Sequence, residues 1–164
     1  ENGVGHYRGH PEASAKIAAD ALDRLRSDNA TRKTVKTVVA AHETVVKMPP
    51  DKIAVKKALN LYGEENFRRL VASARADLAA KPKLPGQAEK IDAVEALAEQ
   101  VIARGECCSL AGLAVDGKAL IAAGIPRGRE LGNILNTLLA EVIEERLENR
   151  SEALLERARA LAVK

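Results

Sequence analysis

Two groups of residues in this 164-residue chain have the types and spacing to do chemistry, and the first is His10, His42 and Asp77. His42 lies three residues after Val39 on what reads as one apolar helical stripe, and Asp77 lies three residues after Ala74 on another. Both therefore point inward, where a polar group without a partner costs roughly 2 to 7 kcal/mol by transfer estimates. They are expected either to bond each other or nearby backbone as a satisfied core pair, or to belong to a metal site. The second group is built for an anion. In Gly124-Ile125-Pro126-Arg127-Gly128 the proline forbids continuation of a preceding helix, the glycines permit positive φ, and the amides at the next helix start stay unpaired. Such an end can hold a phosphate. Lys118, Arg127 and Arg129 crowd the same turn, so backbone donors and side-chain cations favour the same kind of partner. A well-capped helix corner with solvated charges is the plain alternative.

Helices must carry both groups. After Gly128, Leu131, Ile134, Leu135, Leu138, Leu139, Val142 and Ile143 recur at i, i+3, i+4, i+7, the stripe of a helix buried on one side. Towards the start, His10-Pro11 opens a helix whose apolar positions are Ala15, Ala18, Leu22 and Leu25. Thr31 is placed to cap a second helix bearing Val35, Val38, Val39, Val45 and Val46, with His42 inside its stripe. Met48-Pro49-Pro50 breaks that helix, and Asp51 can cap a short third one with Ile53, Val55, Leu59 and Leu61 before Gly63 ends it. A helix from Glu64 follows, packing Phe67, Leu70, Val71, Ala74 and Leu78.

The strongest punctuation is Lys81-Pro82-Lys83-Leu84-Pro85-Gly86, which divides the chain into a unit over 1–80, a linker over 81–86 and a unit over 87–164. The second unit opens with a helix from Gln87 to Arg104 and closes with one that Ser151 caps. Residues 1–9 hold three glycines and no periodicity and read as a loop; no Met opens them, so the chain is expected to be a fragment of something longer.

Composition agrees with an all-α chain of two small helical subdomains. Hydrophobic residues make up 46% and aromatic ones 2%, with no Trp, which suits close-packed helices better than a β-sandwich. The cysteines, Cys107 and Cys108, are adjacent, which fits neither zinc-ligand spacing nor a disulfide framework. No apolar run approaches a membrane span, so no membrane partner and a cytoplasmic location with reduced thiols are expected. A net charge of +3 permits contact with nucleic acid without demanding it.

The stretch LAVDGKALIAAGIPRGRELGNILNTLLAEVIEERLEN resembles the C-terminal signature of bacterial tRNA nucleotidyltransferases, the CCA-adding enzymes grouped with bacterial poly(A) polymerases. The matching positions are Leu113, Gly117, Leu120, Gly124, Gly128, Gly132, Leu135, Leu138, Leu139 and Asn149; Gly112 and Ala119 stand where the family often has acidic residues. The resemblance implies a tRNA-binding tail, with Lys118, Arg127, Gly128, Arg129, Gly132 and Asn133 as its RNA-contacting residues. GHPEASA, the VVAAH run and the ARAD run resemble the later motifs of the HD superfamily, which implies a partial HD-like helical unit with His10, His42 and Asp77 as metal ligands. No His in the chain is followed by Asp, the pair that defines that superfamily.

Between Arg24 and Lys57 nine cations, Arg24, Arg26, Arg32, Lys33, Lys36, Lys47, Lys52, Lys56 and Lys57, face three acids, Asp28, Glu43 and Asp51. Such a band suits a phosphate backbone, and the scarcity of aromatics argues against base stacking, so shape readout of double-helical RNA fits best. No Asp-x-Asp pair is present to hold two catalytic metal ions, and no phosphate-binding Gly-Lys-Ser/Thr loop or nucleophile elbow occurs. The expected function is therefore the tRNA-binding C-terminal portion of a tRNA nucleotidyltransferase, with no catalytic residues of its own. Its Mg2+, CTP and ATP, used to add CCA to tRNA 3′ ends, would belong to missing N-terminal catalytic domains of the same parent chain. The alternatives are an HD-type metal-dependent phosphohydrolase and a helical interaction module without a ligand.

Overall fold

The computed structural model describes residues 9–80 and 85–162. All but the last residue of the expected opening loop, and residues 81–84 of the expected linker, lie outside that range. Among the described residues every regular element is helical, which makes the chain all-α. In order these are α1 (His10–Arg24), α2 (Asn29–Ala41), α3 (Thr44–Lys47), α4 (Lys52–Ala79), α5 (Gln87–Ala103), a 3-10 turn (Leu110–Gly112), α6 (Gly117–Ala122), α7 (Arg129–Ile143) and α8 (Ser151–Ala162).

Local chemistry sets most boundaries. Pro11 occupies the first turn of α1, where its missing N–H costs nothing. Asp28, not Thr31, caps α2: its carboxylate accepts from the Thr31 N–H at 2.9 Å and from the Thr31 hydroxyl at 2.6 Å. α2 stops at Ala41, one residue short of His42, which becomes its C-cap, and Val45 and Val46 fall in the separate one-turn helix α3. Asp51 caps α4 as expected, accepting from the Ala54 N–H at 3.0 Å. α4 is interrupted at Gly63, whose φ of 74° and ψ of 161° lie outside the helical region, so it comprises the two helices that the sequence predicts.

Two compact units result, and their division differs from the one expected at 81–86. The first comprises residues 1–50 and 62–95, and the second residues 51–61 and 96–164. Proline and glycine mark where a backbone turns; which faces pack is decided by side chains elsewhere. Lys52, Lys56 and Lys57 make ion pairs to Glu106, Glu144 and Glu145, and these tie residues 51–61 into the second unit.

In the first unit α1 and α2 pack against each other, and Phe67, Leu70, Val71 and Ala74 of α4 and Ile91 and Val94 of α5 are buried. The expected stripe of α1 fails at its end, where Leu25 is 75% exposed, and Leu61 of α4 is likewise 71% exposed. The second unit has a core of Val115, Leu120, Ile125, Ile134, Leu138, Leu139, Val142, Ile143, Leu154 and Ala158. Leu120, Leu138 and Leu154 are fully buried. Each such leucine contributes about 1.5 to 3 kcal/mol by removing apolar surface from water. α7 is the centre of this core, as its stripe requires, but it ends at Ile143, well before Asn149.

Candidate functional site

The Gly-Pro corner lies between α6 and α7. Gly124 has φ of 93° and Gly128 φ of 147°, both in the region that favours glycine, so the two glycines the sequence singles out are required by backbone geometry. Ile125 is 3% exposed and anchors the corner in the core, leaving Pro126, Arg127, Gly128 and Arg129 at the surface. Gly128 is the N-cap of α7 and offers no side chain to its first amides, which are open to an external acceptor. A Cβ on Gly117 would stand 3.2 Å from the Leu131 side chain, so the first turns of α6 and α7 meet there. Lys118, the next residue of α6, is exposed, and Lys118, Arg127 and Arg129 form no ion pair among the described residues. Gly132 and Asn133 are exposed one turn further along α7, and Glu130 is the single acid of that first turn. The start of α7 thus has amides without a side-chain cap, with exposed Arg127 and Arg129 on either side of Gly128 in the chain.

The 112–114 loop, which precedes α6, is held by residues at and just before the start of α8. Asn149 donates through Nδ2 to the Gly112 carbonyl at 2.9 Å and accepts from the Ala114 N–H at 2.8 Å. Ser151 does not cap α8 but begins it, and its hydroxyl donates to the Ala114 carbonyl at 2.8 Å. Asp116 caps α6, accepting from the Ala119 N–H at 2.8 Å. The 112–114 loop that leads into α6 is thus fastened by polar side chains thirty-odd residues further along the chain.

The expected cationic band does not survive as one surface. Lys52 lies 2.9 Å from Glu106 and 2.7 Å from Glu145, Lys57 lies 2.6 Å from Glu144, and Lys56 is buried beside Glu106 and Glu145. Glu145 holds Lys52 above the usual ammonium range, with help from Glu106, and Lys57 and Arg146 hold the Glu144 carboxyl below its own. Arg32 is paired with Asp23 and Lys47 with Glu43. These side chains are structural, and only part of the band is left for a partner.

In the first unit His10 and His42 come together, two residues that the sequence groups only through the resemblance to HD motifs. Their Nε2 atoms are 2.9 Å apart and the rings meet edge to face at a centroid distance of 4.9 Å. His42 Nδ1 donates to the Val39 carbonyl at 2.7 Å, which turns its Nε2 lone pair towards His10. Glu43, which the sequence reading passed over, joins them: one ligand atom from each of His10, His42 and Glu43 lies within 4.8 Å of the others. The Glu43 carboxyl is held below its usual range, first by Lys47 and then by the two imidazoles. Asp77 is not buried as expected. It is exposed and lines, with His10, His42 and Glu43, a cavity of about 150 Å³. His42 bonds His10 and the Val39 carbonyl, so the expected bond to nearby backbone is present.

Both cysteines carry free thiols, and burial raises each above the usual thiol range. Among the described residues no helix is long and apolar enough to cross a membrane.

Comparison with known proteins places these features in context. Residues 12–158 match the family model described as tRNA nucleotidyltransferase domain 2. No curated protein and no solved structure matches the chain.

Proposed function

Because the chain belongs to the tRNA nucleotidyltransferase domain 2 family, we propose that it is the tRNA-holding part of a CCA-adding enzyme, and that it meets the RNA phosphate backbone at the Arg127–Arg129 corner. The observation that carries this reading is the helix start of α7, uncapped by any side chain and flanked by two exposed arginines. A helix start carries about half a positive charge, and a guanidinium gives a phosphate two parallel donors. Contacts of this kind fix position on a duplex without reading its sequence. On this reading nucleotidyl transfer, with its Mg2+ and CTP or ATP, belongs to other domains of the same parent protein, in keeping with the lack of an Asp-x-Asp pair in this sequence.

The test is a titration of Arg127→Ala/Arg129→Ala against tRNA over a range of salt concentrations. Affinity should fall alike for all tRNA sequences, and the slope of log K against log salt should flatten by up to about 1.8, two contacts' worth. Folding stability should stay within about 0.5 kcal/mol of the parent chain, since both side chains are exposed. Unchanged affinity and slope remove the corner from the binding surface.

A second reading rests on the imidazole pair. His10, His42 and Glu43 would hold a divalent metal ion, with Asp77 on the wall of the same cavity. The Nδ1 bond of His42 to a backbone carbonyl is the outer contact that orients a metal-ligating imidazole. Without a His-Asp pair in the sequence the ion's role is to fasten the start of α1 to the α2–α3 corner, and no hydrolytic step is assigned to it.

A further inference from the structure

Four helices of this chain end in the same way. At α1, α5, α6 and α7 the residue after the C-cap has positive φ and bonds back to the residue three before it, while the next residue bonds five back. At α1 these bonds are Arg26 N–H to the Asp23 carbonyl at 3.1 Å and Ser27 N–H to the Leu22 carbonyl at 3.0 Å. This double closure is the Schellman motif, and its left-handed position is normally glycine because a Cβ is disfavoured there. Gly105 and Gly124 fill it at α5 and α6; Glu145 (φ 58°) fills it at α7 and Arg26 (φ 53°) at α1.

Glu145 has a reason to be there, since its carboxylate reaches Lys52 at 2.7 Å within the same unit. Arg26 has none inside the described chain. It is exposed, forms no ion pair among the described residues, and follows Leu25, which is 75% exposed.

The pattern of ion pairing points the same way. In the first unit Arg32, Lys47, Arg68, Arg69 and Arg75 each have a carboxylate partner, and Lys90 donates to the Val46 carbonyl at 2.6 Å. Besides Lys90, the described Lys and Arg side chains of that unit left without an acid are Lys16, Arg24, Arg26, Lys33 and Lys36, all on α1, α2 or the turn joining them, and of these Arg24 donates to the Asp20 carbonyl at 3.4 Å. Of the acids nearest the turn, Asp23 is paired with Arg32 and Asp28 caps α2. Lys33 and Lys36, three apart on α2, share its exposed face.

We infer that the tip of the α1–α2 hairpin, with Arg26, Lys33 and Lys36 as its contacts, is a second surface for the phosphate backbone of RNA, carried in a different unit from the Arg127–Arg129 corner. The inference rests on the reading of the chain as a tRNA-binding domain. It adds a surface that the corner does not require. A left-handed arginine and a face of unpaired cations are kept at a cost to the isolated fold, and a polyanion supplies the compensation that the chain itself does not.

The test measures binding of a tRNA transcript by the 164-residue chain, comparing Arg26→Gly/Lys33→Ala/Lys36→Ala with Arg127→Ala/Arg129→Ala between 50 and 200 mM salt. Glycine suits the left-handed position and alanine suits α2, so circular dichroism and the thermal midpoint should show an intact fold. The triple variant should lose about 2.7 from the log–log salt slope, so that its loss of affinity relative to the parent chain is about 40-fold larger at 50 mM than at 200 mM. An unchanged slope in the triple variant beside a reduced slope in the corner variant overturns the hairpin surface and leaves the corner standing. Failure of the parent chain to bind tRNA overturns both. Should the triple variant not fold, Arg26→Gly alone decides: a slope loss of about 0.9 supports the surface and none overturns it.

Discussion

Glu141 and Arg157 form a two-pronged ion pair between α7 and α8, with Nε to Oε2 at 2.8 Å and Nη2 to Oε1 at 2.6 Å. Glu141 is 7% exposed, whereas the Arg157 side chain is 41% exposed, so the carboxylate carries the burial and depends on the guanidinium. Arg157 is the main reason that the Glu141 carboxyl is held below its ordinary range in the folded chain. A folded-state pKa below the unfolded one gives stability that is present above the unfolded value, near 4.5, and is lost as pH falls through the folded value. Glu141→Gln should therefore cost about 1 to 3 kcal/mol at pH 7, and the gap from the parent chain should close as pH drops below 4.5. Urea midpoints at pH 7 and pH 3.5 check it, and a gap that is unchanged between them would show that the charge is not what the site uses.

Asn149 is the fastener of the 112–114 loop. Its amide makes one bond as donor to Gly112 and one as acceptor from Ala114, so Asn149→Ala leaves two backbone groups to find water. The loss should be about 1 to 2 kcal/mol. Asn149→Asp keeps the bond from Ala114 but sets a carboxylate against the Gly112 carbonyl, so it should fall between the parent and the alanine variant. Hydrogen exchange at the Ala114 amide reports the loop directly, and faster exchange in Asn149→Ala is the expected result.

Gly128 is needed for its backbone and not for space. With φ at 147° and ψ at −165° it occupies a region that is essentially glycine's alone, yet an added Cβ would have nothing within 4 Å. Gly128→Ala should therefore lower stability by about 1 to 3 kcal/mol through conformational strain, and should weaken RNA binding by displacing the start of α7. Gly132→Ala is the control: Gly132 is also open on all sides but lies inside α7, where alanine is the better helix former, so stability should rise or hold. Equal losses in the two variants would mean that the side chain and not the backbone conformation is at issue.

What could be read from the sequence was what single residues impose on their own backbone. Asp51 as a cap, Gly63 as a break and Gly128 at positive φ follow from local sterics and hydrogen bonding, and the α7 stripe follows from its period. What failed depended on partners distant in sequence. Asp77 shares an apolar helix but sits in the last turn of α4, where solvent reaches it. Lys52, Lys56 and Lys57 read as part of an open basic band because their carboxylates come from residues 106, 144 and 145. Glu141 carried a legible signal: a carboxylate between Leu138, Leu139, Val142 and Ile143 must have a partner, although nothing local named Arg157. Glu43 was overlooked because it follows His42 directly, and only the end of α2 at Ala41 turns both side chains to one place.

The imidazole pair admits a decisive measurement with Co2+, whose visible absorption reports the ligands around it. Two Nε2 atoms at 2.9 Å with a carboxylate within 4.8 Å form a nitrogen-rich set, and such sets favour late first-row ions over Mg2+ or Ca2+. The parent chain should bind one equivalent of Co2+ with a visible spectrum, and Zn2+ should displace it. His42→Ala should abolish the spectrum, since it removes both a ligand and the bond to the Val39 carbonyl; Glu43→Gln should weaken binding and alter the band shape while leaving the fold intact. Asp77→Asn separates the two possible carboxylates: if it matches Glu43→Gln in effect, the ion sits deeper in the cavity, towards α4. Binding should also fall with pH, because each imidazole must be neutral to act as a ligand. A chain that takes up no Co2+ at pH 7.5, with His10 and His42 protected from modification by diethyl pyrocarbonate, would establish the pair as a closed hydrogen bond that joins α1 to α2 and nothing more.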